Sequence, residues 1–149
     1  MNRILKALVF EVLLFAAAAS IASADSLFDL VAAAAPEQIE QAIKAGSDVN
    51  ARNEHGETPL MWAAQYNQNP EVITALANAG ADVDARDNDG WTPLMHAAFF
   101  NENHRVIVAL LKAGVDVNAR NNDGWAALSL AAKNNSNPES ISVMLHDGA

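Results

Sequence analysis

The sequence predicts an all-α fold, a solenoid of about four stacked helix-turn-helix units with short hairpin turns. Three observations predict it. Glycines recur at a spacing of 34, as Gly46, Gly80, Gly114 and Gly148 and again as Gly56, Gly90 and Gly124, with Leu60, Leu94 and Leu128 in step. Helix-start signals recur in the same register at Thr58-Pro59 and Thr92-Pro93. The phrase "NEHGETPLMWAA" (53–64) returns as "DNDGWTPLMHAA" (87–98) and "NNDGWAALSLAA" (121–132). Self-similarity at such a period marks units that bury their apolar faces only by stacking on one another.

Residues 1–24 stand apart from the repeats. "MNRILK" is a short basic start, "ALVFEVLLFAAAASIA" an apolar run, and "ASA" (Ala22–Ala24) a small-residue cleavage signal before Asp25. That layout is expected of a secretory signal peptide of bacterial type, although Glu11 weakens the run, and an uncleaved anchor is the alternative. No other segment approaches the roughly 20 apolar residues that cross a bilayer. The domain expected after the leader is 25–149, with repeats at approximately 25–53, 54–87, 88–121 and 122–149.

Each element follows from local chemistry. "SLFDLVAAAAPEQIEQAIKAG" (26–46) is an atypical first unit, with Leu27 standing where Leu60 does. After Thr58 and Thr92, whose oxygens can cap free N–H groups, Pro59 and Pro93 open the first helix of a unit. Leu60, Ala63 and Ala64 then share one core face. Asparagine-rich links follow: "YNQNPE" (66–71), "FNENHR" (100–105) and "NNSNPE" (134–139). Asn67, Asn101 and Asn135 are expected to end the first helix in left-handed geometry, which asparagine tolerates. Asn69 and Asn137, each before Pro-Glu, are expected N-caps of the second helix. That helix carries Ile73 with Leu76, Ile107 with Leu110, and Ile141 with Met144. Gly46, Gly80 and Gly114 close it. "DVNARN", "DVDARD" and "DVNARN" lead, extended, into the Asp-Gly turn. The last unit has Ala126-Ala127 in place of Thr-Pro.

Composition narrows the function. Without the leader's Arg3, Lys6 and Glu11, the 9 basic and 18 acidic residues become 7 and 17, a formal charge of −10. No basic stripe exists for nucleic acid or an anionic membrane. The acid excess suits a partner with a basic surface, or simply soluble turns, and both readings stand. There is no cysteine, hence no disulfide and no thiol nucleophile.

These residues resemble the ankyrin repeat family. "GETPLMWAA" and "GWTPLMHAA" are similar to its G-x-T-P-L-H-x-A-A signature, and "LANAGADVDARD" and "LLKAGVDVNARN" to its second helix and hairpin. The resemblance spans essentially all of 25–149. Met61 and Met95 replace the signature histidine, so the hydrogen bonds that residue makes in the family are expected to be missing. Each complete repeat also has one residue more than the usual 33, in the asparagine-rich link. The resemblance implies a monomeric, non-enzymatic protein-binding module that engages a protein partner through a concave face of hairpin tips and first helices.

The candidate partner-binding positions follow from that implication. They are Arg52, Glu54, His55, Glu57, Gln65 and Tyr66 in the first full repeat; Arg86, Asn88, Asp89, Trp91, Phe99 and Phe100 in the next; and Arg120, Asn122, Asp123, Trp125, Lys133 and Asn134 in the third. None is expected to be needed for stacking. Aromatic and arginine side chains dominate binding hot spots, and Trp91, Trp125, Phe99, Phe100 and Tyr66 are expected to group on one face. The two tryptophans equally suit a cover for the hairpin base. Adjacent Phe99 and Phe100 cannot both face the core, so one is expected to be exposed. The arginines are expected to pair with neighbouring acidic turn residues, Trp62 to lie in the core, and His96 to be a satisfied interior histidine.

Catalysis finds little support. The histidines at 55, 96, 104 and 146 lack ligand spacing such as H-x-x-x-H. "DARDNDGW" resembles a calcium loop, but Ala85 and His96 fall where its first and twelfth ligands belong. "NNS" (134–136) fits a glycosylation acceptor, a motif frequent by chance. No cofactor is expected. The reading is a periplasmic or secreted binding protein, an inhibitor or a scaffold. The alternative is a small-ligand or metal-binding module using His96 and the groove aromatics.

Overall fold

The computed structural model describes residues 24–149, with side chains from Leu27 onward. Apart from Ala24, the expected leader lies outside the described residues. The described chain forms eight helices: α1 (Ala24–Ala33), α2 (Pro36–Lys44), α3 (Pro59–Tyr66), α4 (Pro70–Asn78), α5 (Pro93–Phe100), α6 (His104–Lys112), α7 (Ala127–Asn134) and α8 (Pro138–His146). They pair as four units. The first helices pack in the row α1, α3, α5, α7, and the second in the row α2, α4, α6, α8. No named strand appears among the described residues. The hairpin segments, expected to be extended, are turns with a single isolated bridge, Arg120 to Ala126.

The predicted caps form. Thr58 and Thr92 accept from the N–H groups of Met61 and Met95, each at 3.4 Å. Asn69 and Asn137 accept from Glu71 and Glu139, each at 3.0 Å, and Asn103, which the sequence did not single out, accepts in the same way from Arg105 at 3.1 Å. Such caps satisfy donors that the first helical turn leaves free. At the other end, Gly46, Gly80 and Gly114 take φ of +109°, +93° and +88°. Ser47 and Ala81 then donate back to Ala42 and Leu76, closing the helix.

The core is the interior of the two rows. Leu27, Leu60, Ala63, Ala64, Ile73, Leu76, Leu94, Ala97, Ala98, Ile107, Leu110 and Met144 are buried. Small alanines on the first helices let those helices approach closely, so the larger side chains of the second row fill the remaining space. Ile141 is only partly buried, because it belongs to the last unit of the described row.

Asparagines hold the units together differently from the expectation. Asn67, Asn101 and Asn135 have φ of −84°, −100° and −82°, extended and not left-handed. Their amides bridge units instead. Asn67 donates to Val31 and Ala34, Asn101 to Ala64 and Asn67, and Asn135 to Ala98 and Asn101, at 2.9–3.2 Å. Each side-chain oxygen accepts from the N–H two residues on. The carbonyls so satisfied include those that a helix C-terminus leaves without partners. The backbone N–H of each asparagine still closes its own helix, onto Ala63, Ala97 and Ala131 O, while the side chain serves the helix end of the preceding unit.

Methionine substitutes in part for the signature histidine. The Sδ atom of Met61 accepts from the Thr58 N–H at 3.4 Å, answering the cap that Thr58 provides. One hydrogen bond expected to be missing is therefore present.

Candidate functional site

The hairpins place their side chains by a fixed device. The oxygen of Asn53 accepts from the N–H groups of His55 and Glu57, Asp87 from those of Asp89 and Trp91, and Asn121 from those of Asp123 and Trp125, all at 2.8–3.1 Å. Gly56, Gly90 and Gly124 follow with φ of +75°, +78° and +84°, so only glycine completes the turn without strain. The residue after each glycine, Glu57, Trp91 or Trp125, is thereby aimed back over a first helix.

Several candidate side chains serve the stack itself, contrary to expectation. Arg52 donates to Gly56 O at 2.9 Å and to Arg86 O at 2.6 Å, Arg86 to Arg120 O at 2.7 Å, and Arg120 to Gly124 O at 2.8 Å. The arginines thus bind carbonyls of their own and the next hairpin, not the neighbouring carboxylates. Asn88 and Asn122 likewise reach back to Glu54 O and Asn88 O, each at 3.1 Å. Asn134 donates to Phe99 O at 2.9 Å. A turn carbonyl facing a neighbouring turn needs a donor, and these side chains supply it.

The remaining candidates are free of that duty. Glu54, His55, Asp89 and Asp123 are exposed at the tips. Tyr66, Phe100 and Trp125 keep 50, 47 and 41% of their surface accessible, which is high for aromatic side chains. Of the adjacent phenylalanines, one is exposed, as expected: Phe100, while Phe99 packs on the core.

The rings do not gather into one group. Trp91 meets Phe99 at 5.5 Å, Phe100 at 6.0 Å and His96 at 5.5 Å, while Phe99 and Phe100 lie 4.7 Å apart. A second group runs from Phe28 through Trp62 to Tyr66, at 5.6 and 5.5 Å. Trp125 stands under the Lys133 ammonium at 5.1 Å. Trp62, expected in the core, is only partly buried. Its ring lies on the core while Nε1 donates to Glu57 Oε2 at 2.9 Å, since an indole N–H needs a partner.

Beside Trp91 and Phe100 lies a cavity of about 270 Å³, lined also by Glu57, Gln65, Asp87, Asp89 and His96. His96 is 5% exposed, and its Nδ1 and Nε2 face Gln65 Oε1 and Asp87 Oδ2, each at 3.1 Å. It is the interior histidine expected. Glu57 is held below the ordinary carboxylate range. Burial raises its pKa, but hydrogen bonds from Asn53 and Trp62 and the fields of His96 and His55 outweigh burial. Asp87 was legible only as a turn former. The signal that marks it is its departure from Asn53 and Asn121 at the same place in the other repeats.

The family profile described as ankyrin repeats (3 copies) matches residues 27–121 and again 68–149. The chain belongs to the ankyrin repeat family. No curated protein matches it. Ankyrin repeats are generally protein–protein interaction modules and typically carry no enzymatic activity. Among the described residues, no helix of this ankyrin-repeat chain is long and apolar enough to cross a membrane.

Proposed function

We propose that this ankyrin-repeat chain is a non-enzymatic module of the bacterial cell envelope that captures another protein across its hairpin and first-helix face. The observation that carries the reading is the exposure of Phe100 beside Trp91. A half-exposed phenylalanine next to a partly buried tryptophan offers a partner apolar area at little ordering cost, because the stack is already rigid. Tyr66 and Trp125 extend that offer to the units on either side. Exposed Glu54, Asp89 and Asp123 at the tips favour a partner with a basic surface. The role is that of an inhibitor or a scaffold. Export through a leader at 1–24 places the chain in the periplasm or outside the cell, and N-terminal sequencing of the exported form tests that step.

Capture from an envelope extract tests the surface. Tagged wild-type chain is compared with Phe100→Ala and Tyr66→Ala, whose side chains the fold leaves half exposed. The expected result is a loss of the captured partner by about tenfold or more, since a hot-spot aromatic is worth about 2 kcal/mol or more. Helicity is expected to be unchanged. Undiminished capture by both variants would refute the assignment of this face.

A further inference from the structure

Three departures from the internal repeat meet at one place. Glu57 stands where the later repeats have Trp91 and Trp125. Asp87 stands where the others have Asn53 and Asn121, and His96 where they have Trp62 and Leu130. Asp87 and His96 belong to one hairpin and the first helix that follows it, while Glu57 comes from the hairpin of the preceding unit. One donor atom from each falls within 4.8 Å of the others.

We propose that Glu57, Asp87 and His96 bind one divalent transition-metal ion, with Zn²⁺ as the probe suited to their mixed nitrogen and oxygen donors. Four features support the site. First, His96 Nε2 and Asp87 Oδ2 are 3.1 Å apart, close to the roughly 3.3 Å separation of two ligands on tetrahedral zinc with bonds of about 2.0–2.1 Å. Second, both side chains are fixed and dry, being 6 and 9% exposed. Third, the outer partners of a metal site are in place. Gln65 Oε1 sits 3.1 Å from Nδ1, placed to accept a hydrogen bond from Nδ1–H in the tautomer that leaves the Nε2 lone pair facing Asp87. Asn53 and Trp62 hold Glu57 Oε2 at 2.6 and 2.9 Å and leave Oε1 for an ion. Fourth, no permanently charged cation faces the two carboxylates. The ion pairs among the described residues are His96 with Asp87 and His104 with Glu139, so neither Lys nor Arg pairs with Glu57 or Asp87.

With the ring proton on Nδ1, a lone pair and a carboxylate oxygen face each other at 3.1 Å, a contact that a cation between them makes favourable; with it on Nε2 the same contact is a hydrogen bond, which the ion would replace. Glu57 closes the third position by turning about its own side-chain bonds, and the adjoining cavity has room for water in the fourth. The ion would join one hairpin turn to the next unit's turn and first helix.

Calorimetric titration of Zn²⁺ into the EDTA-treated full-length chain tests the site. The wild type is expected to bind one ion, with an unfolding temperature that rises with Zn²⁺ concentration. Co²⁺ in its place is expected to quench Trp91, whose ring centre is 5.5 Å from that of His96. Asp87→Asn restores the residue of the other repeats and keeps the turn's oxygen acceptor. It is expected to weaken binding by about tenfold or more. Glu57→Gln, isosteric and only partly buried, is expected to do the same. Absence of heat in the wild type would overturn the site and leave a hydrogen-bonded hub with a proton in the ion's place. Binding unchanged in both variants would overturn it too, by locating the ion elsewhere. Partner capture is measured separately, so neither result bears on the docking face.

Discussion

Asn101 is the most informative position at which to disturb the stack. Its side chain is fully buried. Its amide donates to Ala64 O and Asn67 O, both at 2.9 Å, and its oxygen accepts from Asn103 N at 2.9 Å. Replacement by alanine removes all three bonds, each worth about 1 kcal/mol net. It also strands carbonyls at a helix end that water cannot reach, where the penalty is about 1–3 kcal/mol for a buried group. The expected destabilisation of Asn101→Ala is therefore about 3–5 kcal/mol. Asn135 makes the same bonds at the last interface but is only partly buried. Water can replace its amide there, and Asn135→Ala is expected to cost about 1 kcal/mol. Urea denaturation followed by circular dichroism reads both midpoints. At this chain length, the first substitution is expected to lower the melting temperature by roughly 10 °C or more. Equal costs at the two positions, or a cost for Asn101→Ala near zero, would refute the view that these amides bind the units.

Two further predictions test the hairpins. A Cβ on Gly90 would lie 2.5 Å from Asn122 Oδ1 and 3.0 Å from Asn122 N, whereas one on Gly80 meets nothing within 4 Å. Both glycines have positive φ, so Gly80→Ala is expected to cost about 1 kcal/mol and Gly90→Ala about 2–3 kcal/mol, read by thermal denaturation. Glu57 supplies a pH dependence. Its pKa is lowered on folding, so its contribution is complete above the ordinary carboxylate pKa and fades as pH falls through the folded value. Stability measured from pH 7 to pH 3 is expected to fall less steeply in Glu57→Gln than in the wild type.

Most of the fold was legible because it is periodic. Thr58-Pro59, the closing glycines and the Ile73–Leu76 spacing each carry a local physical preference, and repetition lets each copy corroborate the others. The inter-unit bonds were not legible in the same way. Asn67 and Asn101 have a plausible local role as helix ends. Their actual partners lie 33 to 37 residues away, a distance that only stacking brings within reach. The arginines misled for a related reason. Acidic residues are their nearest charged neighbours in sequence, yet the carbonyls of an adjoining turn are nearer in space and have no other donor. Exposure of one of Phe99 and Phe100 was legible because helix geometry forbids both the same face, but that it is Phe100 was not. The split of the aromatics into separate groups was not, since it depends on how far one unit's first helix stands from the next.

That division between local and stacked roles also says where function is to be sought. Side chains that recur at one place in each repeat, such as Asn67, Asn101 and Asn135, are accounted for by bonds that every interface needs. A residue that breaks the pattern is not accounted for in that way. Asp87 makes the same two turn bonds as Asn53 and Asn121, so its charge adds nothing to the turn and incurs desolvation at 9% exposure. Glu57 gives up the aromatic contact that its counterpart Trp91 makes. His96 brings two polar nitrogens to a position that Leu130 fills with carbon. Three separate departures that each work against simple packing, and that come together only when stacking brings Glu57 to Asp87 and His96, are hard to explain one at a time. They become intelligible together, as donors to a common positive charge.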